Sequence, residues 1–385
     1  MEKLYYQDSA LRQFSATVTD CVAAEEGFWV CLDATAFYPE GGGQACDLGY
    51  IGDARVLDVQ EKGDRVTHLC DKMLAVGQKV ACCIDWERRF DLMQQHTGEH
   101  IVSGVIFQML GYANVGFHVG ADVMTVDFDG EITPEQLKEI EFRANRAVWE
   151  NITLRCWIPG PEELPNVPYR TKRQLPWPVR IVEIPGVDSC ACCGVHTKTT
   201  GQVGLIKLFS CVKFHGGARI EMACGKRALE MMNGFYEQNR QVSQAFSAKA
   251  TETGAAARYM NEQLSLEKFR ANGLQRELFA LKAKSFAGES VAVCFETGLE
   301  GGQLRAFAEE LARVCPVGAV FSENRENNFS VCLAGKVELV KILGAALAKN
   351  LSARGGGKPG YYQGSVAGTK EQIETVLGEF YQVFG

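Results

Sequence analysis

The chain has 385 residues, 46% of them hydrophobic and 23% charged, with a formal net charge of −7. That size and composition predict two or three soluble globular domains and exclude a disordered or fibrous chain. Met1–Gln13 holds no apolar signal core, and runs such as Ile101–Leu110, broken by Ser103 and Gln108, are too short to cross a bilayer, so no membrane insertion is expected.

Residues 1–88 read as short strands with turns, among them 14–20, 27–32 and 54–59, and their spacing predicts a small β-barrel. Tyr38–Gln44 interrupts them with three consecutive glycines, which let the backbone approach a ligand closely. Glu87–Leu110 predicts a helix stopped by Gly111, with Phe90, Met93, Ile101, Val105 and Leu110 on its apolar face, and Pro134–Glu150 predicts a second. Residues 159–185 are proline-rich and loop-like between short strands, and 205–224 read as strands.

From Lys226 to Phe286 the chain turns Ala-, Glu-, Gln- and Lys-rich. One long helix, or a helical hairpin near Gly254, is expected there, and its leucines could pair with a second copy of the chain. Beyond Ser290, strands at 291–295, 319–321 and 329–333 alternate with helices at 303–314, 337–351 and 369–384, the pattern of a compact α/β domain. The expected divisions are therefore 1–88, 89–225, 226–286 and 287–385, in an α+β chain.

The acidic balance argues against indiscriminate nucleic-acid binding. Residues 168–227 nevertheless carry ten Lys/Arg against three Asp/Glu, a basic segment that can meet phosphates locally. Over 290–385 the two signs nearly cancel, nine against ten. Fifteen cysteines, an odd count in a large chain without a signal, predict reduced thiols and a cytoplasmic setting.

His96-Thr-Gly-Glu-His100 lies inside the first predicted helix, where i, i+4 spacing puts both imidazoles on one face, able to share a metal. Cys192-Cys-Gly-Val-His196 offers a second half-site, with Gly194 letting the chain bend back. Three of the six histidines fall in these two motifs. Nitrogen and sulfur donors suit Zn²⁺ better than hard cations, either as a closed structural site or as a catalytic one with a displaceable ligand. Cys190 and Cys193 compete with Cys192 for the sulfur position. Glu99 directly precedes the second histidine, unlike the glutamate of H-E-x-x-H, and is expected to project from another part of the helix.

Three stretches together resemble the AlaX family, free-standing relatives of the editing domain of alanyl-tRNA synthetase. They are Asp33-Ala-Thr-Ala-Phe-Tyr-Pro-Glu-Gly-Gly-Gly-Gln-Ala-Cys-Asp-Leu-Gly49, the His96/His100 pair, and Cys192–Gly204, with support from the opening Lys3-Leu-Tyr-Tyr-Gln-Asp8. The tail Gly355-Gly-Gly-Lys-Pro-Gly-Tyr-Tyr-Gln-Gly364 is similar to the glycine-rich motif of the C-terminal RNA-binding domain that alanyl-tRNA synthetases share with DHH-type phosphoesterases. Both matches in this order imply the long form of AlaX. The fold implied is a small barrel, a zinc-containing editing core, a coiled-coil-like helical segment and a C-terminal α/β RNA-binding domain.

The resemblance implies zinc held by His96, His100, Cys192 and His196, and its family spacing favours Cys192 as the sulfur ligand. It also implies a pocket lined by Gly41, Gly42, Gly43 and Gln44, with Thr35 near the substrate side chain, and RNA contacts from Gly355, Gly356, Gly357 and Lys358. His118 could face the same pocket. The implied reaction is ester hydrolysis on mischarged tRNA(Ala), on seryl-tRNA(Ala) and also glycyl-tRNA(Ala), with zinc either polarising water or carbonyl or anchoring the substrate amino group. A pocket group awaiting a hydroxyl rejects alanine, by roughly 10⁴-fold in favourable cases.

Two departures stand out: Val195 where the family commonly has threonine, and Glu99 where it commonly has glutamine. The alternative is a non-catalytic RNA-binding protein with a structural zinc. A phosphoesterase is disfavoured because the chain lacks an Asp-His-His motif. A full synthetase is disfavoured because the editing-like region begins near residue 1, leaving no room for an ATP-dependent domain.

Overall fold

The computed structural model describes residues 1–171, 176–325 and 327–384. It is a mixed α+β chain divided into two compact units, Met1–Gln241 and Val242–Gly385. The division falls inside a helix, Gly225–Ala245, within the stretch expected to be helical.

In the first unit, β1 (Gln13–Ala24), β2 (Gly27–Leu32), β3 (Gly49–Ile51), β4 (Ala54–Lys62), β5 (Arg65–Cys70) and β6 (Lys79–Ile84) close into a barrel of order β1-β2-β5-β4-β3-β6. β6 returns to β1 with Gln13 opposite Cys83. Its side chains alternate: Val80, Cys82 and Ile84 are buried while Lys79, Ala81 and Cys83 face out, the period-two pattern of a half-buried strand. Val18, Val30, Ile51, Val56 and Val66 complete the interior.

Between β2 and β3 the chain leaves the barrel for a tight turn. Gly41 and Gln44 exchange backbone hydrogen bonds of 3.1 and 3.0 Å across Gly42 and Gly43, which take φ of 59° and 81°. Two successive positive φ values are what a two-residue hairpin turn requires, and glycine supplies them without strain.

α1 (Trp86–Leu110) starts on Asp85, whose side chain accepts from the Arg88 N–H, and ends on Gly111 in the left-handed conformation. Every residue from Leu92 to Ile106 is buried, so the helix runs through the interior and has no solvent face along that stretch. Several of its polar side chains are satisfied internally. Gln95 donates to the Cys224 carbonyl and accepts from the Cys224 N–H, as buried polar groups must.

α1 packs with α2 (Pro134–Trp149), which opens on a Thr133/Gln136 capping box. Both lie against a four-stranded sheet made of β7 (Asn114–Val119), β8 (Met124–Phe128), β12 (Ile206–Phe214) and β13 (Gly217–Cys224), in the order β12-β13-β8-β7. A small antiparallel sheet, β9 (Arg155–Trp157), β10 (Ile181–Ile184) and β11 (Asp188–Ala191), carries the chain up to Cys192. Gly104 on α1 lets Val187 approach, since a Cβ there would lie 2.4 Å from the Val187 carbonyl oxygen. Lys172 and Arg173 of the basic segment lie outside the described residues.

The second unit contains the helix Thr253–Lys284 and a five-stranded sheet. Its first pair, Ala292–Thr297 and Val317–Arg325, is parallel, and Asn328–Gly335, Tyr361–Ala367 and Arg354–Gly356 follow antiparallel. Helices Gly301–Val314, Val337–Leu351 and Lys370–Phe384 complete the unit. The helical stretch expected at 226–286 is broken once, around 246–252. All fifteen cysteines are free thiols, and no helix among the described residues is long and apolar enough to cross a membrane.

Candidate metal centre and its cavity

α1 presents His96 and His100 one turn apart, and the loop after β11 brings Cys192 and His196 to them. One ligand atom from each of the four lies within 4.8 Å of all the others. Cys192 Sγ is 3.4 Å from His96 Nε2 and 3.4 Å from His196 Nε2. Ordinary Zn–S and Zn–N bond lengths in a tetrahedron place sulfur and nitrogen about 3.5 Å apart. The donor set and its spacing therefore fit a zinc-type ion.

Each ring is oriented through its other nitrogen. His96 Nδ1 donates to Gln44 Oε1 at 2.8 Å, and His100 Nδ1 to Asp188 Oδ2 at 3.1 Å. His196 Nδ1 meets Thr97 Oγ1 at 3.2 Å, a hydroxyl that also accepts from the Thr197 N–H. Proton-bearing Nδ1 atoms leave the Nε2 lone pairs of His96 and His100 toward the shared centre, the arrangement by which outer partners fix ligating histidines. Asp188 is itself held by Arg170, whose Nε and Nη2 donate at 2.7 and 2.9 Å.

The Cys192–His196 loop is clamped from outside. Arg180 Nη1 donates to the carbonyls of Cys192 and Gly194, and Tyr6 donates to the Cys193 carbonyl. Gly194 passes so close to His96 that a Cβ would stand 2.2 Å from the ring.

Burial opposes ionisation of Cys192, but the His96 and His196 rings beside it draw the thiol well below its ordinary range. Burial pushes His196 down to about 3. His100 is raised despite its burial, through Asp188 and Cys192. The other two cysteines of the motif behave differently. Burial pushes Cys190 up to about 11 and raises Cys193 as well, and the Cys193 sulfur lies 3.9 Å from the Tyr38 hydroxyl, not among the histidines. Cys190 groups with His100 and Asp188 in a second, overlapping cluster.

The centre opens on a cavity of about 790 Å³ whose wall includes His96, His100, Cys192, Gly42, Gly43 and Phe117. Phe117 stacks on His96 with centroids 5.3 Å apart, and a Cβ on Gly43 would collide with it at 2.5 Å. The glycine turn thus lies over an aromatic ring that lies over the His96 imidazole. Gln44 is buried behind them, its Nε2 without a partner among the described residues.

Thr35 is not on that wall. It is fully buried, its Oγ1 is 2.8 Å from His68 Nε2, and it accepts from the Phe37 N–H. His68 Nδ1 faces the Val30 carbonyl at 3.1 Å, so the Thr35 hydroxyl is the donor to Nε2. His118 is exposed on β7, opposite Thr125, and lies off the wall too. Glu99 is on it. Its Oε1 accepts from Ser103 Oγ at 2.6 Å and from Asn114 Nδ2, and its Oε2 lies 3.9 Å from His100 Nε2.

Asp188, Arg170, Phe117 and Asn114 carry no motif signal of their own, and sequence reasoning missed them. Gly355, Gly356, Gly357 and Lys358 lie in the second unit and are exposed, the first two on the sheet's edge strand. Gly355 meets the neighbouring strand so closely that a Cβ would be 2.4 Å from the Gln363 carbonyl oxygen.

The barrel, the helix-borne histidine pair and the returning Cys/His loop thus build one candidate metal centre at the edge of a cavity. Residues 2–88 match the family described as tRNA synthetases class II (A), and residues 179–221 match the threonyl and alanyl tRNA synthetase second additional domain. The chain is 32% identical to the alanyl-tRNA editing protein AlaX-L of Pyrococcus horikoshii over 307 residues, 76% of this chain and 75% of that one. It is 27% identical to the rat (Rattus norvegicus) alanyl-tRNA editing protein Aarsd1 over 406 residues, 99% of this chain and 98% of that protein. An alanine–tRNA ligase of Thermofilum pendens matches at 31% over 97% of this chain, which spans 43% of the ligase. The chain belongs to the AlaX family of alanyl-tRNA editing proteins.

Proposed function

We propose that this protein is a trans-editing aminoacyl-tRNA deacylase that hydrolyses the ester of mischarged tRNA(Ala), chiefly seryl-tRNA(Ala) and also glycyl-tRNA(Ala), at a zinc site formed by His96, His100, Cys192 and His196. One observation carries the reading: three imidazoles and a thiol converge on a cavity walled by the Gly42–Gly43 turn, in a chain of the editing family.

Zinc, when bound, supplies Lewis acidity toward the ester or its attacking water. The chain's own residues do the rest. Gln44, Asp188 and Thr97 hold the three imidazoles in their working tautomers. Backbone N–H groups around Gly42 and Gly43 are suited to meet the terminal ribose or a developing oxyanion, and the unpartnered Gln44 Nε2 behind them has a free donor. Phe117 forms one side of the cavity, stacked on His96.

The Gly355–Gly357 stretch and Lys358 are assigned to RNA contact, through local placement rather than a broad basic face. The exposed Leu274, Leu278 and Leu281 of the helix Thr253–Lys284 recur at i, i+4, i+7 and would be covered in a homodimer.

A second reading draws on the donor count: four protein ligands can close a tetrahedral zinc site and make it purely structural, in a non-catalytic RNA-binding protein. The two separate in one comparison, wild type against His100→Ala, followed by release of labelled serine from seryl-tRNA(Ala). The deacylase reading expects hydrolysis by wild type and a loss of at least about 100-fold in the variant, in line with the metal's share of such catalysis. Full activity in His100→Ala contradicts it, and absence of hydrolysis in zinc-replete wild type favours the structural site.

A further inference from the structure

Glu99 is a carboxylate that the metal centre does not account for. It sits on the cavity wall, its side chain only 8% exposed. One of its two oxygens is fully engaged: Oε1 accepts from Ser103 Oγ and Asn114 Nδ2. These two partners also bond each other, Asn114 Nδ2 donating to Ser103 Oγ at 3.1 Å, so the carboxylate is fixed in direction. The Asn114 amide orientation is set by the same contact, because its oxygen cannot face a carboxylate.

Oε2 is left over. Its nearest basic neighbour is His100 Nε2 at 3.9 Å, beyond hydrogen-bonding distance. Among the described residues no lysine or arginine forms an ion pair with Glu99, and Arg170, on the same wall, is committed to Asp188. Leaving a buried carboxylate oxygen without a polar partner is costly, and the cationic side chains near Glu99 are engaged with Asp188, Arg170 through Nε and Nη2 and His100 through Nδ1. One thiolate and three neutral imidazoles would also leave a divalent ion with a surplus positive charge, which repels any further cation unless a carboxylate stands beside it.

The aminoacyl ester that the proposed function brings into this cavity carries such a cation, its α-ammonium. We propose that Glu99 is a substrate-recognition residue whose free Oε2 receives the α-ammonium of the aminoacyl group. This inference rests on the deacylase reading and deepens it. It gives the cavity a contact common to seryl and glycyl esters, and leaves side-chain discrimination to other groups.

The test is a binding comparison on the full-length, zinc-loaded protein at about pH 6.5, where an α-amino group is mostly protonated. Two non-hydrolysable probes are used: adenosine carrying serine through an amide at its ribose, and the same compound with the ammonium replaced by hydrogen. Wild type is expected to prefer the ammonium-bearing probe by roughly tenfold or more, the range for a hydrogen bond to a charged group. Glu99→Gln keeps an acceptor oxygen for Ser103 and Asn114, and is expected to abolish that preference while binding the deaminated probe as wild type does, with zinc content unchanged.

The proposal is overturned if Glu99→Gln weakens both probes equally or retains the preference. It is also overturned, without any variant, if wild type binds the two probes equally. Failure of wild type to bind either probe would instead remove the deacylase reading beneath it.

Discussion

His68 and Thr35 show how one buried contact settles what a side chain can do. His68 is fully buried in the barrel, and burial lowers its pKa to about 4, against an ordinary 6.5. The unfolded chain therefore takes up a proton on this ring as pH falls through 6.5, while the folded barrel does not until about 4. Stability is fully present above the unfolded value and falls as pH drops between the two. Across that window the loss is expected to reach about 3 kcal/mol. Urea unfolding at a series of pH values, in wild type and His68→Gln, checks it: the acid-side slope should shrink in the variant, and equal slopes would rule His68 out as its source. Thr35, a residue of the glycine-motif segment, spends its hydroxyl on that ring. In a sequence, a threonine near a glycine turn reads the same whether its hydroxyl faces a ligand or an imidazole behind it.

At the scale of elements, α1 organises the site because it is buried along most of its length. The i, i+4 histidines were legible, since 3.6-residue periodicity alone puts them on one face. So was the convergence of Cys192 and His196 around a glycine bend. The burial was not legible, because Gln94, Gln95, Thr97, Glu99 and Ser103 look like a solvent face. Their partners come from segments a hundred residues or more away for Gln94, Gln95 and Thr97. Glu99 was set apart for the same reason: on a helix with solvent on one side its direction would lead outward, but here it leads into the cavity wall.

The imidazole partners Gln44 and Asp188 likewise depend on tertiary placement. Three strands of the barrel, β3, β5 and β6, are too short or too rich in cysteine and charge to stand out in the chain.

Arg89 ties this helix to the glycine turn. It is completely buried, pairs with Asp47 through two nitrogens, and donates to the carbonyls of Ser9 and Ala36. Asp47 in turn accepts from the Tyr38 N–H at the start of the turn segment. Removing one partner of a buried pair leaves the other uncompensated. Arg89→Ala is expected to cost about 3–5 kcal/mol in urea unfolding, and a loss below about 1 kcal/mol would show that the pair does not hold helix and turn together.

For the whole molecule, the secondary structure of the second unit was largely legible: its strand and helix runs alternate in sequence, and the helices 337–351 and 370–384 fall where expected. Its edge strand Arg354–Gly356 was not, because glycines packed against a neighbouring strand look like a ligand-binding loop. All of the candidate metal centre lies in the first unit, so the chemistry is expected there and RNA anchoring in the second.

Whether this cavity removes the wrong amino acid from alanine tRNA can be read from a single assay. Purified zinc-loaded protein is mixed with seryl-tRNA(Ala) and, separately, with correctly charged alanyl-tRNA(Ala), and ester hydrolysis is followed in each. Rapid loss of serine with alanine retained is expected, at a ratio of roughly 10⁴-fold in favourable cases if a pocket group awaits the hydroxyl. Hydrolysis of both at one rate, or of neither, would contradict it.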